Sequence, residues 1–512
     1  MTFSRSSGIL LHPTSLPGPF GIGDLGEEAY KFVDFLAKSG QSFWQVLPLG
    51  PTGYGDSPYQ CFSAVAGNPL LVNPEFLVGD GLLAETDLKD SPNFPVERID
   101  FGSVIDYKTR LLTKAYENFK KAVNNPLKEL FQVFCKNTAS WLDGYALFRT
   151  LKDAHNGAAW CDWPKSLATR EPAAIAEVEQ QMQSQIEAHK FFQFLFFKQW
   201  LLLKEYTNQR GIKIIGDIPI FVAYDSSDVW LNAQFFKLNS EGKPTVVAGV
   251  PPDFFSKTGQ LWGNPIYDWE KMAQNSFKWW IDRVSMMLKM VDVVRFDHFR
   301  GFAACWEIPA GDPTAENGKW VEVPGRELFL KIQEALGDLP IIAEDLGVIT
   351  PDVEALRDDF AFPGMRILQF AFNSDSSSID LPHNYTKNSV VYTGTHDNDT
   401  TAGWFETTAA EGVSAAVKRA RKYCLEYLNT DGKEIHWDFI RAAYASVSDI
   451  AIVPAQDILG LGSDARMNLP ASQQGNWNWR MISGSLTTQL AEKLAAMGTI
   501  YGRTPTLKNK TL

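Results

Sequence analysis

The chain has 512 residues, of which 45% are hydrophobic and 21% charged, with a formal net charge of −12. That composition is globular, and with no Lys/Arg-rich run it excludes nucleic acid as a partner, because neutralising phosphates needs a basic face. No apolar run is long enough to span a bilayer, the start Met1-Thr-Phe-Ser-Arg5 lacks the charged-then-apolar profile of a secretory signal, and five scattered cysteines never form Cys-x-x-Cys; a cytoplasmic protein without a disulfide frame or zinc site is expected.

Gly8–His12 is a short apolar run that reads as a first strand, followed by a Pro/Gly-rich turn. Glu27–Ser39 carries apolar residues at helical spacing (Ala29, Phe32, Val33, Phe35, Leu36) and stops at Gly40, a helix C-terminus signal. Phe43–Pro48 reads as the second strand, and the Gly-, Pro-, Ser- and Tyr-rich segment Gly50–Asn68 as a binding loop beyond its carboxyl end. Helical patterns then dominate as far as Lys204: Lys108–Asn124, Pro126–Phe134, Thr138–Ala154 and Ile175–Asn208, with an aromatic connection Trp160–Pro164. Strands resume at Ile212–Ile220. Asp225–Asn264 reads as a long loop bearing Phe235, Phe236, Phe254, Phe255 and Trp262, aromatics that would be costly in solvent unless they cover a site or bury themselves.

From Ser276 a regular alternation follows. Helix Ser276–Met290 leads into the strand Val291–Asp297. After helix Leu328–Leu336 comes the strand Leu339–Gly347, then helix Asp352–Asp358, strands Met365–Phe370 and Val390–Asn398, helices Gly412–Leu428 and another from Trp437, and the strand Asp449–Gln456. Strands near residues 10, 45, 215, 295, 342, 367, 392 and 452, alternating with helices, predict an α/β fold: a (β/α)8 TIM barrel formed by one catalytic domain, 1–512, with large, mostly helical insertions at about 50–205 and 225–275 on the carboxyl-end face.

In such barrels chemistry gathers where strands end at the carboxyl side. Asp217, Asp297, Glu344 and Asp397 fall at the ends of the third, fourth, fifth and seventh predicted strands. Four acids on one rim repel each other, so a cation, a proton or a reaction developing positive charge must compensate them. Two chemistries fit: Mg²⁺ or Mn²⁺ binding, and glycosyl transfer through an oxocarbenium-like transition state, which needs one carboxylate nucleophile and one protonated acid. The aromatic loops favour sugar, since they offer stacking surface that a bare metal site does not need. Arg295, two residues before Asp297, lies on the same side of its strand and would keep that aspartate ionised, while neighbouring negative charge would raise the pKa of Glu344. His298 and His396 are placed to hydrogen-bond sugar hydroxyls.

Arg295-Phe-Asp297, Glu344 after Ile341-Ile-Ala343, and His396-Asp397 resemble the sequence blocks of the α-amylase clan. Leu11-His-Pro-Thr-Ser-Leu-Pro17, Gly53-Tyr-Gly-Asp-Ser-Pro-Tyr59, Phe296-Asp-His-Phe-Arg-Gly301, Ala343-Glu-Asp-Leu-Gly347, Thr393-Gly-Thr-His-Asp-Asn-Asp399 and Ala465-Arg-Met-Asn468 together resemble the 4-α-glucanotransferase (amylomaltase, disproportionating enzyme) family, glycoside hydrolase family 77, from about Ser7 to Arg480. The resemblance implies Asp297 as nucleophile, Glu344 as acid/base and Asp397 as the carboxylate holding sugar hydroxyls and stabilising the transition state. It also implies Tyr59, Asp217, Arg295, His396 and Asn468 as substrate contacts, with Phe254, Phe255 and Trp262 in the loop covering the cleft. After Gln369-Phe-Ala-Phe372 an acidic residue would continue the pattern, and Asn373 stands there instead. The implied partners are α-1,4-glucans, with no membrane, cofactor or metal required. The alternatives are an α-amylase-type hydrolase on the same scaffold and a non-catalytic glucan-binding protein.

Overall fold

In the computed structural model, residues 3–252, 256–472 and 474–505 are described. The eight expected strands form one parallel sheet: Ser6–Leu10, Phe43–Gln45, Lys213–Pro219, Val293–Asp297, Ile341–Ala343, Gly364–Ile367, Ser389–Tyr392 and Ile450–Pro454, called here the first to eighth strands. Their order in space runs sixth, seventh, eighth, first, second, third, fourth, fifth. The remaining seam between fifth and sixth is bridged by the Ala343 N–H, which donates to the Pro363 carbonyl at 2.9 Å, and by the Met365 N–H, which donates to the Asp345 carboxylate at 2.6 Å. The sheet thereby closes into the (β/α)8 barrel. The strands are short and their interior positions almost wholly apolar and buried, as a parallel sheet covered by helices demands. The first and second strands approach so closely that a Cβ on Gly8 would lie 2.5 Å from that of Phe43, which only glycine tolerates.

Apart from the fourth, which ends at Asp297 as expected, the strands end earlier than the sequence suggests. The seventh stops at Tyr392, leaving Thr393–Asn398 as loop. Between the second and third strands the longer helices are Phe101–Lys121, Leu127–Ala154, Pro172–Gln181 and Gln183–Gln209. The two helices expected at Pro126–Phe134 and Thr138–Ala154 are one: no Pro interrupts the stretch, and Gly144 lies where a Cβ would meet the Leu231 side chain at 2.6 Å, so it serves close packing rather than termination. The single helix expected at Ile175–Asn208 is broken at Met182, whose φ −113° and ψ 23° leave the helical region.

The larger departure lies in the expected long loop Asp225–Asn264. It contributes two strands, Val246–Val250 and Gln260–Pro265, which join Ala304–Pro309 and Lys319–Glu322 in a separate four-stranded antiparallel sheet. All four strands come from segments that follow the third and fourth barrel strands, so this sheet stands on the carboxyl-end face. Phe254 and Phe255 lie outside the described residues. Among the described residues no helix is long and apolar enough to cross a membrane.

Candidate active site

The carboxyl ends of the third to fifth strands carry a continuous polar chain. Asp217 and Arg295 are register partners on adjacent strands, and Asp297 is the last residue of the fourth. Because side chains alternate along a strand, Arg295 and Asp297 share a face. The guanidinium takes advantage of this, lying 2.6 Å from Asp217 Oδ2 and 3.0 Å from Asp297 Oδ1. The Tyr59 hydroxyl donates to the same Asp217 oxygen at 2.9 Å. Asp217 has no side-chain exposure, whereas 27% of the Asp297 side chain is open to the cleft, so the two acids occupy different depths. Burial disfavours the charge on Arg295, but Asp217 and Asp297 outweigh it and hold its pKa well above the ordinary value.

Glu344 directly follows the fifth strand. Its Oε2 accepts the backbone N–H of His298 at 2.5 Å and its Oε1 the N–H of Leu346 at 3.0 Å. His298 has a left-handed backbone, φ 51° and ψ 52°, uncommon for a residue with a side chain and frequent where function imposes it. Burial pushes the Glu344 carboxyl up to about 8, with Asp297 adding to the rise and Arg295 and the two N–H donors opposing it. The sequence expectation named neighbouring negative charge as the cause; desolvation comes first. Burial also lowers His298 to about 3, with Arg300 adding, so its imidazole is neutral. Trp262, on the four-stranded sheet, meets that imidazole edge to face at 4.7 Å.

Asp397 sits in the loop after the seventh strand, five residues past Tyr392 rather than at the strand end, with 44% of its side chain exposed. Asn468 Nδ2 donates to its Oδ1 at 2.6 Å, and His396 Nε2 lies 3.3 Å from the same oxygen. Burial lowers the pKa of His396 against the pull of Asp397. The Tyr59 and His396 rings stack at 5.1 Å and 14°, which joins the Asp217–Arg295–Asp297 chain to Asp397. Asn373 is exposed on the loop after the sixth strand. Hollows of about 490 Å³, lined in part by Tyr59, Cys61, Asp217 and Arg283, and about 430 Å³, lined in part by His12, His396 and Asp399, flank the cluster.

Two residues missed in the sequence belong to this neighbourhood. Arg466 donates to the Asp397 carbonyl and the Asn468 carbonyl, both at 2.6 Å. It was readable only as a member of Ala465-Arg-Met-Asn468. Trp477 packs against both Tyr59 and His396, with ring centroids 5.8 Å away in each case. Nothing in its Asn/Gly-rich surroundings signals that contact.

The family model described as 4-alpha-glucanotransferase matches residues 11–486. The chain is 50% identical to a 4-alpha-glucanotransferase of Synechocystis sp. over 98% of its own length and 99% of the relative's. It is 48% identical to one of Thermus thermophilus, over 97% and 99% respectively. Among solved structures it resembles amylomaltase from Streptococcus agalactiae in complex with acarbose, with a TM-score of 0.93, 42% identity, and coverage of 98% of this chain and 100% of that one. A match of this extent, on a barrel whose acids converge as described, places the chain in the 4-α-glucanotransferase family, glycoside hydrolase family 77.

Proposed function

We propose that this chain is a retaining 4-α-glucanotransferase in which Asp297 is the nucleophile, Glu344 the acid/base and Asp397 the carboxylate that binds sugar hydroxyls beside the reacting carbon. The Asp297 carboxylate attacks the anomeric carbon of an α-1,4-glucan while the Glu344 carboxyl gives its proton to the departing 4-oxygen. The acceptor's 4-hydroxyl then loses its proton to Glu344, its oxygen attacks the same carbon, and Asp297 is released. Arg295 balances the charge on Asp297. Asp217, fully buried, acts through Arg295 and Tyr59. Tyr59, His396 and Asn468 border the sugar, and Trp262 roofs His298.

The observation that supports this reading most is the hydrogen bond from the His298 N–H to Glu344. It ties the residue after Asp297 to the second carboxyl, and burial pushes Glu344 up to about 8, as a protonated donor at neutral pH must be. We read the chain as a single catalytic barrel with insertions at about 50–205 and 225–275. The unpaired state of its five cysteines supports a cytoplasmic location.

Incubation with maltotriose tests the function. A ladder of longer oligosaccharides together with glucose is expected. Short sugars alone would make the protein a hydrolase, and tight glucan binding with no product would make it a binding protein.

A further inference from the structure

Trp477 is buried, 6% exposed, and holds a left-handed backbone with φ +63°, a conformation that bulky side chains rarely adopt. The surrounding contacts impose it. Its N–H donates to the Met467 carbonyl at 2.7 Å, and the next residue's carbonyl accepts from Ile99 at 2.8 Å. Two residues further on, Trp479 bridges Arg98, and Arg480 donates from its backbone to Glu97 at 2.8 Å. On the N-terminal side Asn476 Oδ1 accepts the Leu469 N–H at 2.9 Å. The segment is thus pinned on both sides of Trp477, and the indole is carried to a defined place.

That place is the junction of the two arms of the site. The indole centroid is 5.8 Å from that of Tyr59, at 42°, and 5.8 Å from that of His396, at 35°. Tyr59 and His396 stack on each other at 5.1 Å, so the three rings form a triangle. From Tyr59 one arm runs through Asp217 and Arg295 to Asp297; from His396 the other reaches Asp397. No polar atom of Trp477 is engaged with either arm. Its contribution is shape: a rigid apolar face that fixes the separation and tilt of two rings whose polar atoms point at the acids. Strained backbone that carries a bulky side chain to such a point recurs at functional sites.

We propose that Trp477 is a positioning residue for the transfer reaction, holding Tyr59 and His396 in register so that Asp297 and Asp397 address one sugar ring from fixed positions. This rests on the roles assigned to those two aspartates above. Misplacement of reacting groups by about 1 Å can cost roughly 100-fold in rate, while binding along the rest of a long glucan is little affected. Loss of Trp477 therefore falls on kcat rather than on KM.

The test compares the full-length parent with Trp477→Phe, Trp477→Leu and Asp297→Asn in maltotriose disproportionation, alongside acarbose inhibition and thermal melting. Trp477→Leu is expected to lose roughly 10- to 100-fold in kcat with KM within about twofold. Phe restores a ring and is expected to recover most of that loss. Acarbose inhibition should weaken in Leu and return in Phe. An unchanged kcat in Trp477→Leu, or a loss carried by KM, would overturn the proposal. If the Leu variant does not fold, the Phe variant decides alone: a kcat a few-fold or more below the parent with KM within about twofold supports the proposal, and a parental kcat or a loss carried by KM overturns it. Turnover by Asp297→Asn would refute the assigned aspartate roles; an inactive Asp297→Asn beside a fully active Trp477→Leu would refute Trp477 alone.

Discussion

The backbone N–H of His298 lies 2.5 Å from Glu344 Oε2, so the residue that follows Asp297 is bonded to the carboxyl at the end of the neighbouring strand. One fourth-strand terminus therefore presents an acid to the cleft and fixes a second acid beside it. The left-handed turn at His298 accompanies this bond. The first prediction concerns that second acid.

Burial pushes Glu344 up to about 8. A general acid acts when protonated, so kcat/KM for maltotriose holds through neutral pH and falls about tenfold per unit above about 8. A limb already falling near pH 5 would contradict the assignment. Stability follows the same group. Between the ordinary glutamate value and about 8 the native chain keeps a proton that the unfolded chain releases, so this contribution is lost as pH rises through that window. Glu344→Gln removes the dependence. Its advantage in Tm over the parent grows from pH 4 to pH 9, and a constant difference would contradict the cause.

Arg295 is predicted to be structural and functional at once. Arg295→Met strands Asp217, which has no exposure, and should destabilise the protein by about 3–5 kcal/mol in urea unfolding. Adding Asp217→Asn removes the stranded carboxyl and recovers most of that stability. Activity stays low in the double variant, because Asp297 still lacks its cation. Equal stability in the single and double variants would show that the buried pair is not the cause.

Trp262 is predicted to govern the fate of the intermediate. It covers His298 edge to face at 4.7 Å. Trp262→Ala opens that side to water, and the ratio of glucose-chain hydrolysis to transfer should rise several-fold in product analysis. An unchanged ratio would assign water exclusion elsewhere.

At the opposite end of the barrel, Arg503 has no exposure and donates to the carbonyls of Ser6, Ala443, Tyr444, Ser446, Ser448 and Asp449 at 2.8–3.3 Å. Those carbonyls flank the starts of the first and eighth strands. Arg5 also donates to the Tyr444, Ser446 and Ser448 carbonyls, and the Ser6 N–H to that of Asp449. Arg503→Ala therefore removes one donor from each carbonyl without orphaning all six and should cost about 1–3 kcal/mol, with kcat unchanged where the protein is folded. A loss of kcat at constant stability would contradict a purely structural role.

The barrel was legible because each strand is a short apolar run set between turn formers and helical periods, and all eight runs fall where expected. Asp217, Asp297 and Glu344 were legible because they interrupt or directly follow those runs near their carboxyl ends; Asp397, expected at a strand end, lies in the loop beyond the seventh strand. The antiparallel sheet was not: Val246–Val250 and Gln260–Pro265 contain Gly249 and Gly263, and Lys319–Glu322 is mostly exposed, so no alternation of apolar and polar residues marks them. Arg466 and Trp477 escaped for a different reason. Their partners, Asp397, Tyr59 and His396, are distant in sequence, and neither residue sits in a periodic segment.

The central claim is that the carboxylate of Asp297 bonds to the anomeric carbon. It is tested most directly with the Glu344→Gln variant and α-maltotriosyl fluoride, whose leaving group needs no acid while release of the glycosyl-enzyme still needs a base. Mass spectrometry of the digested protein should find a maltotriosyl group on the peptide containing Asp297. Sugar on another carboxylate, or none despite fluoride release, would contradict it.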